Sequence, residues 1–181
     1  MRRIVHAIYA SLDGVVDEPA WTGAYFNDEL AALQHQLLFA SEALLLGRVT
    51  YEGFAASWPS MTHEGDFAER MNSMPKYVAS RTLKSTTWNA ALLTDDVVAE
   101  VARLKDNPGG DLLIFGSQTF ADALTAKGLI DEYRVMLFPT VVGAGGRLFS
   151  AVTNTSLRLT GVATTSTGVA VLTYSPALEG R

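Results

Sequence analysis

The sequence predicts an α/β fold with a central, mostly parallel sheet, flanking helices and an antiparallel hairpin at the C-terminal end. Apolar segments of strand length alternate with segments whose apolar residues repeat every three or four positions. Strands that are joined through helices pair in parallel. The tail, residues 156–176, contains two apolar segments separated by threonine, serine and glycine, which is typical of a hairpin.

The first third of the chain is predicted to alternate strand and helix. Residues 4–12 (IVHAIYASL) and 42–47 (EALLLG) are predicted strands, with a helix over residues 27–40 between them. Asn27 is a suitable N-cap for that helix. A second helix begins within "LLLGRVTYEGF", and a loop over "ASWPSMTHEGD" precedes a short third helix.

The remainder continues the alternation. Residues 75–83 (PKYVASRTL) form a predicted strand, and "ALLT" a predicted edge strand. A helix follows over "TDDVVAEVARLK", with Thr94 or Asp95 as its cap. Residues 111–128 are predicted to form a strand entering a helix, and residues 131–146 a strand followed by a glycine-rich loop.

Composition limits the classes of protein to which this chain can belong. With 181 residues, 48% of them hydrophobic, residues 1–181 are expected to form one domain. The lack of cysteine excludes disulfides, thiolate metal sites and a cysteine nucleophile. A net charge of -5 disfavours nucleic acid as a partner. No apolar run is long enough for a membrane helix, so a cytoplasmic protein is expected.

Two further chemistries are disfavoured by motif. The three histidines lack the spacing of metal ligands, and no metal is expected. The segment "FGSQT" does not match the G-x-S-x-G nucleophile elbow of hydrolases.

Three strand ends carry residues suited to binding phosphate groups. Helix N-termini offer unpaired N–H groups and a partial positive charge, and arginine forms paired bonds with phosphate oxygens. Ligands of open α/β sheets collect at the carboxyl ends of strands. An ordinary capped turn gives the same pattern at any one junction. The candidates are Gly47, Arg48 and Thr50, then Ser80, Arg81 and Thr82, and finally Gly116, Ser117, Gln118 and Thr119.

Four motifs carry a family resemblance over nearly the whole chain. They are "SLDG" at 11–14, "LLGRVTYE" at 45–52, "MPKYVASRTL" at 74–83, and "FGSQTFADAL…GLIDEYRVMLFPTVVGAGGRLF" at 115–149. In this order they resemble the dihydrofolate reductase superfamily, and more closely the branch with the reductase domain of riboflavin-biosynthesis deaminase-reductases. The resemblance implies a dihydrofolate reductase-like fold. It also implies NADPH as cofactor and hydride transfer to a carbon of a small heterocyclic or sugar-imine substrate.

The resemblance also implies roles for the strand-end residues. The Gly47 turn would line the adenosine and pyrophosphate side, with Arg48 near the 2′-phosphate and Arg81 completing that pocket. Two arginines on one phosphate dianion are the usual reason for an NADPH preference. The Gly116 turn would close over the pyrophosphate. Relatives commonly have a glycine doublet and an arginine there, whereas this chain has Gly116–Ser117, whose peptide we expect to be strained and cis.

Asp13 and Asp28 are the predicted catalytic acids. Asp13 lies in "SLDG", and Asp28, with Glu29 as its alternative, opens the first helix, where dihydrofolate reductases place a substrate-binding carboxylate. A turn cap before Gly14 and a favourable helix N-terminus explain these carboxylates equally well. Four aromatic residues are candidates either for stacking on a flat ring or for the core: Trp21, Tyr25, Phe54 and Trp58.

Three questions of function and assembly stay open. The segment "YEGFAASWP" resembles stand-alone members of the superfamily, so a riboflavin-pathway 5-amino-6-(5-phosphoribosylamino)uracil reductase is an alternative to a reductase of another small molecule. A non-catalytic nucleotide-binding protein of the same fold is a second alternative. The resemblance further implies a homodimer formed through residues 131–149, although the strand at 135–138 could instead face its own sheet.

Overall fold

The computed structural model describes residues 1–61, 65–93 and 95–177, and its centre is one eight-stranded sheet. The strands run in the order β4-β3-β2-β5-β1-β6-β8-β7. Their bounds are β1 Ile4–Ser11, β2 Ser41–Gly47, β3 Lys76–Ala79, β4 Ala90–Leu93, β5 Asp111–Phe115, β6 Glu132–Phe138, β7 Leu157–Thr164 and β8 Ala170–Pro176.

The sheet confirms the predicted mixture of parallel and antiparallel pairs. From β4 across to β6 every neighbouring pair is parallel, and β8 pairs antiparallel with both β6 and β7. The first strand lies at the centre, since Ile4 is opposite Leu112 of β5 and Val5 is opposite Glu132 of β6. Parallel neighbours bring their carboxyl ends to one edge, where the phosphate-binding candidates lie.

In the described parts of the chain, five α-helices flank the sheet, with bounds α1 Asp28–Phe39, α2 Arg48–Ser57, α3 Gly65–Ser73, α4 Val97–Asp106 and α5 Gln118–Thr125. The predicted cap of α1 is confirmed, because Asn27 Oδ1 accepts the Leu30 N–H at 3.0 Å. The predicted cap of α4 was wrong. Asp96 accepts the Ala99 N–H at 3.1 Å, while Asp95 donates its own N–H to Glu100; Thr94 lies outside the described residues.

The alternation of side chains along each strand gives the sheet two apolar faces. On one face, Val5, Ala7 and Leu113 pack with residues of α1, α2 and α3. On the other, Ile4 and Ile114 pack with α4 and α5. A central strand buried on both faces explains the nearly continuous apolar run of β1.

The strand within the segment predicted to form a dimer lies inside the sheet. Strand β6 is paired on both edges, with β1 and with β8, and Val135 and Met136 are buried. Its apolar residues therefore belong to the core of their own sheet. The loop after β6 is exposed, with Val141 71% accessible, so within residues 131–149 it is the loop that presents an apolar side chain to solvent.

Among the described residues, no helix is both long enough and apolar enough to cross a bilayer. Within the same ranges, histidine and carboxylate side chains form no group of three or more that is suited to a metal ion.

Candidate cofactor and substrate site

The carboxyl ends of β1, β2, β3 and β5 border one large cavity of about 1850 Å³. Typical small-ligand sites measure roughly 300–1,000 Å³, so this cavity has room for a dinucleotide and a second molecule. All ten predicted cofactor residues line it: Gly47, Arg48, Thr50, Ser80, Arg81, Thr82, Gly116, Ser117, Gln118 and Thr119. The fold has thus brought the three strand ends together.

Two helices begin at the cavity without a side-chain cap. Gly47 is the N-cap residue of α2, Ser117 is that of α5, and neither side chain bonds to the first turn of its helix. The first amide groups of an α-helix have no partner within the helix. Each junction therefore offers N–H donors and a partial positive charge beside residues that line the cavity.

The turn between β5 and α5 has an unusual backbone. Gly116 has φ +57° and Ser117 has φ +52°, so two consecutive residues are left-handed. A left-handed conformation costs a residue with a Cβ about 1–2 kcal/mol, and Ser117 is therefore strained. The expectation of strain is confirmed, whereas the expectation of a cis peptide was wrong, because the bond between these residues is trans. The left-handed pair supplies the sharp turn without isomerisation.

His6, a buried residue of β1, forms a hydrogen bond to this turn. Its Nε2 lies 2.9 Å from the carbonyl oxygen of Gly116, and the Gly116 N–H donates to the Ala7 carbonyl at 2.9 Å. Burial lowers the pKa of His6 to about 4, against the smaller opposing effect of the Gly116 carbonyl. The neutral ring therefore donates from Nε2. The sequence analysis missed this role, although a lone histidine within an apolar strand was a signal for it.

The two arginines of the cavity are held differently. Arg48 Nη1 donates to Glu52 Oε2 at 2.8 Å, one turn along α2, and both side chains are about half exposed. Arg81 is exposed at a turn that Ser80 organises, since the Ser80 hydroxyl accepts the N–H groups of Thr82 at 3.2 Å and Leu83 at 3.0 Å. An exposed ion pair is weak, so a phosphate can displace Glu52 from Arg48 at small cost.

A second part of the cavity, which we call the substrate chamber, lies between β1 and helices α1, α2 and α3. It is lined by Tyr9, Ala31, Ala32, Gln34, His35, Phe54, Trp58 and Phe67. Gln34 is buried, and its Nε2 donates to the Tyr9 hydroxyl at 2.9 Å and lies 3.2 Å from Met136 Sδ. Burial raises the pKa of Tyr9 to about 12, so the phenol stays protonated.

One titratable pair lies at the chamber. His35 Nε2 is 3.0 Å from Asp66 Oδ2 on α3, and the imidazole stacks on Phe39 with the ring centres 4.0 Å apart. The hydrogen bond with His35 lowers the pKa of Asp66. The carboxylate therefore stays ionised and orients the ring, an arrangement suited to moving a proton.

The predicted acids lie outside the residues that line the cavity. The Asp13 carboxylate accepts the Ser11 hydroxyl at 2.6 Å and the N–H groups of Val142 at 3.0 Å and Gly143 at 2.8 Å, and it contacts Arg147. These bonds hold the pKa of Asp13 well below its usual range. Asp28 is exposed in the first turn of α1.

The remaining sequence candidates are Glu29 and four aromatic residues, and only some of them line the cavity. Glu29 accepts both the N–H and the hydroxyl of Ser166 at 2.6 Å, and so ties α1 to the loop before β8. Trp21 and Tyr25 pack edge-on against Phe138, as core residues do, while Phe54 and Trp58 line the chamber. The four aromatic residues therefore separate into two core and two chamber residues.

Asp17 and Glu18, which the sequence analysis did not single out, line the cavity after β1. The Gly146 N–H donates to Asp17 Oδ2 at 2.5 Å. A Cβ at position 146 would lie 2.7 Å from that oxygen, so any other residue there would displace the carboxylate. The glycine-rich loop thus packs against the carboxylate, and a glycine run after an apolar strand was the available signal.

Comparison with known families gives one match over almost the whole chain. The model of the RibD C-terminal domain matches residues 2–171. Among curated proteins, YyaP of Bacillus subtilis (strain 168), whose function is uncharacterised, is 28% identical over 181 aligned residues, which cover 96% of this chain and 94% of YyaP.

Solved structures show the same fold at low sequence identity. A protein of Shewanella sp. PV-4, provisionally assigned to riboflavin biosynthesis, superposes with a TM-score of 0.77 at 20% identity, covering 97% of this chain and 99% of that one. Dihydrofolate reductase of Enterococcus faecalis complexed with NADP(H) superposes with a TM-score of 0.67 at 12% identity, covering 96% of each chain. The chain described here therefore has the dihydrofolate reductase-like fold.

Proposed function

Because this chain belongs to the RibD C-terminal domain family, we propose that it is an NADPH-dependent reductase that transfers hydride to a small heterocyclic or imine substrate. One observation carries the proposal. Two uncapped helix N-termini and two arginines line a single cavity at the carboxyl edge of the sheet. That combination provides N–H donors for a pyrophosphate and cations for an additional phosphate.

The residues of the cavity fit a dinucleotide. The turns at Gly47 and Gly116 would hold the pyrophosphate, and Arg48 with Arg81 would hold the 2′-phosphate. The side-chain oxygen Oε1 of Gln118 is buried and has no hydrogen-bond partner among the described residues, while Nε2 of the same side chain bonds to Asp122. An unpaired buried acceptor is costly, and an N–H or O–H donor of the cofactor would satisfy it.

The bound cofactor would supply the hydride, and this chain would position the acceptor and exclude water. Phe54 and Trp58 provide apolar walls for a flat ring, and the Gln34–Tyr9 pair fixes a polar edge. A proton must reach the reduced substrate nitrogen. We assign its delivery to His35, because Asp66 orients this ring at the chamber. Asp13 and Asp28 stay predictions as catalytic acids, at positions outside the cavity lining.

Family membership favours the riboflavin-pathway reductase as the second candidate. A non-catalytic nucleotide-binding protein is the third, since the same turns would bind a dinucleotide without turnover. The three candidate functions differ in whether, and with which substrate, NADPH is consumed after it binds. The second requires consumption of NADPH with a phosphoribosylamino pyrimidine, and the third requires binding with no consumption at all.

We further propose that the protein acts in the cytoplasm as a homodimer. The exposed apolar side chain of Val141 in the loop after β6 supports an interface there, and the neighbouring Leu12 is 61% exposed. Leu12 and that loop are joined by a hydrogen bond from the Leu12 N–H to the Thr140 carbonyl at 2.8 Å. Pairing of identical patches is the commonest assembly of small soluble enzymes.

The test has two stages. Titration of the protein with NADPH, followed by quenching of tryptophan fluorescence, measures binding, and NADH serves as the comparison. Pterins, pyrimidines and cyclic imines are then screened for oxidation of NADPH, with heat-denatured protein as the blank. Saturable binding with turnover of one compound supports the proposal. Failure of NADPH to bind contradicts it.

A further inference from the structure

We infer that the substrate of this site is a planar ring that carries no phosphate group. The inference deepens the proposed function and rests on it, because it assigns the cationic part of the cavity to the cofactor. Two features support it: the distribution of charge along the cavity and the shape of the chamber walls.

Cationic side chains line only one end of the cavity. Arg48 follows β2 and Arg81 follows β3, and Asp95 and Asp96, which follow the neighbouring β4, lie at the same end; Asp17 and Glu18 follow β1. Strand β5 lies between β2 and β1 in the sheet, and neighbouring strands are about 4.8 Å apart, so the strands that lead to Arg48 and to Asp17 are roughly 10 Å apart. Among the described lining residues, arginine and lysine occur only at the β2–β3 end.

The acidic end is held in place by the backbone around it. Asp17 accepts the Gly146 N–H, and its own carbonyl accepts Trp21 Nε1 at 3.0 Å. Glu18 has φ +45° and is followed by Pro19, so this segment is a sharply constrained turn. The Asp17 carboxylate and the backbone of Glu18 are therefore held at the cavity. A phosphate in the neighbouring chamber would meet two like charges and no lining arginine or lysine, which disfavours its binding there.

The chamber walls favour a flat ring. Phe54 and Trp58 meet edge to face with ring centres 6.4 Å apart, and Trp58 lies 5.5 Å from Phe67. Helix α1 contributes the small side chains of Ala31 and Ala32 to the same lining. A chamber lined by aromatic rings and small residues suits a planar ring, with the Gln34–Tyr9 pair as the polar contact.

Paired ligands test the inference directly. Neopterin and neopterin monophosphate share a planar fluorescent ring and differ in one phosphate. Each is titrated into protein saturated with NADP+, which blocks the cofactor end and cannot supply hydride. We expect neopterin to bind at least about tenfold more tightly than its phosphate. Equal or tighter binding of the phosphate overturns the inference, and so does failure of both ligands to bind.

Charge variants identify the cause of the discrimination. Glu18→Lys should reduce the preference for neopterin over its phosphate to within about threefold. Glu18→Gln should show a preference between that of the wild type and that of Glu18→Lys. Asp106→Lys makes the same change of net charge at the exposed end of α4, away from the cavity, and should leave the preference unchanged. An equal effect of Asp106→Lys, or an unchanged preference in both Glu18 variants, contradicts the role of the acidic end.

Two further titrations test this inference and the proposed function separately. NADP+ is titrated into the protein by itself, and each pterin is titrated into the protein without NADP+. If NADP+ does not bind, but the protein still prefers neopterin to its phosphate, then the proposed function is wrong and the chamber has the selectivity that we infer. If NADP+ binds and the phosphate is preferred, the proposed function stands and the inference is wrong.

Discussion

The backbone N–H of Gly47 donates a hydrogen bond to the Ser117 hydroxyl at 3.0 Å, which joins the ends of the adjacent strands β2 and β5. Both uncapped helices begin at these two residues. The Ser117 side chain therefore sets the distance between the two N-termini that we assign to the pyrophosphate. It does so from a left-handed backbone, at some cost in free energy.

Two substitutions separate the bond from the strain. Ser117→Ala leaves the Gly47 N–H without its partner and keeps the strain, so we expect the free energy of unfolding to fall by about 1 kcal/mol. Ser117→Gly loses the same bond but relieves roughly 1 kcal/mol of left-handed strain, and should be close to the wild type. Denaturant unfolding measures both. An equal loss in the two variants would mean that Ser117 is not strained.

Arg48→Ala should weaken NADPH binding by about one to two decades, since a charge-assisted bond to phosphate contributes roughly 1.5–3 kcal/mol. NADH lacks the 2′-phosphate and should bind as before. The matched control is Glu52→Gln, which frees Arg48 from its ion pair and should tighten NADPH binding about twofold. Calorimetric titration measures the affinities of the wild type and of both variants for NADPH and NADH. Equal weakening of NADPH and NADH by Arg48→Ala would place the arginine elsewhere on the cofactor.

Because His6 is buried as a neutral ring, we expect the folded protein to lose stability at acid pH. Its pKa is lowered from 6.5 to about 4 in the folded protein, so between these values the unfolded chain binds the additional proton. The contribution of His6 to the free energy of unfolding is therefore fully present above pH 6.5. It decreases as the pH falls from 6.5 to 4, by about 3 kcal/mol at most.

The measurement is urea unfolding of the wild type and of His6→Gln across this range. Glutamine can keep the bond to the Gly116 carbonyl but does not titrate, so the difference between the two proteins should change with pH only below 6.5. A constant difference from pH 4 to 7 would show that His6 is not buried in its neutral form.

Asp13→Asn should loosen the loop after β6. An amide cannot accept all the bonds that the carboxylate receives from Ser11, Val142 and Gly143. We expect faster proteolysis within residues 140–147 and a lower midpoint of thermal unfolding, with unchanged NADPH affinity. The alternative, that Asp13 is a catalytic acid, predicts instead a loss of kcat at wild-type stability, which the same preparation would reveal.

A homodimer should have a mass of about twice 19.5 kDa in light scattering at micromolar concentration. Val141→Asp places a charge in the exposed loop and should shift the mass toward the monomer, while the circular dichroism spectrum is retained. Val135 is unsuitable for this test, because it is buried in its own sheet. The matched control is Val162→Asp on β7, which is also exposed. A wild-type mass near 19.5 kDa would refute the dimer.

The fold and the meeting of three strand-end turns at one cavity were predictable because their signals are local. A strand, a helix cap and a glycine turn are each encoded within a few residues, and a parallel sheet brings such turns to one edge without further information. Gly47, Arg81 and Ser117 therefore line one cavity, and their roles toward a cofactor stay predictions.

The acidic part of the cavity was harder to predict because its geometry depends on contacts between distant parts of the chain. Asp17 lines the cavity and accepts the Gly146 N–H, whereas Asp13 lies outside the lining and accepts N–H groups of the same loop. Neighbouring carboxylates of similar local sequence thus have different surroundings. The left-handed pair at Gly116 likewise depends on His6, which is remote in sequence.

The central position of β1 has a consequence for how the chain folds as it is synthesised. This strand is synthesised before the other seven, yet its neighbours in the sheet, β5 and β6, begin at Asp111 and Glu132. Until those residues emerge, this largely apolar strand has neither of its neighbours with which to pair. Long loops must then close before the sheet is complete, which slows folding. The nascent chain therefore carries an exposed, aggregation-prone segment through most of its synthesis, and a chaperone that binds extended apolar peptides would protect it.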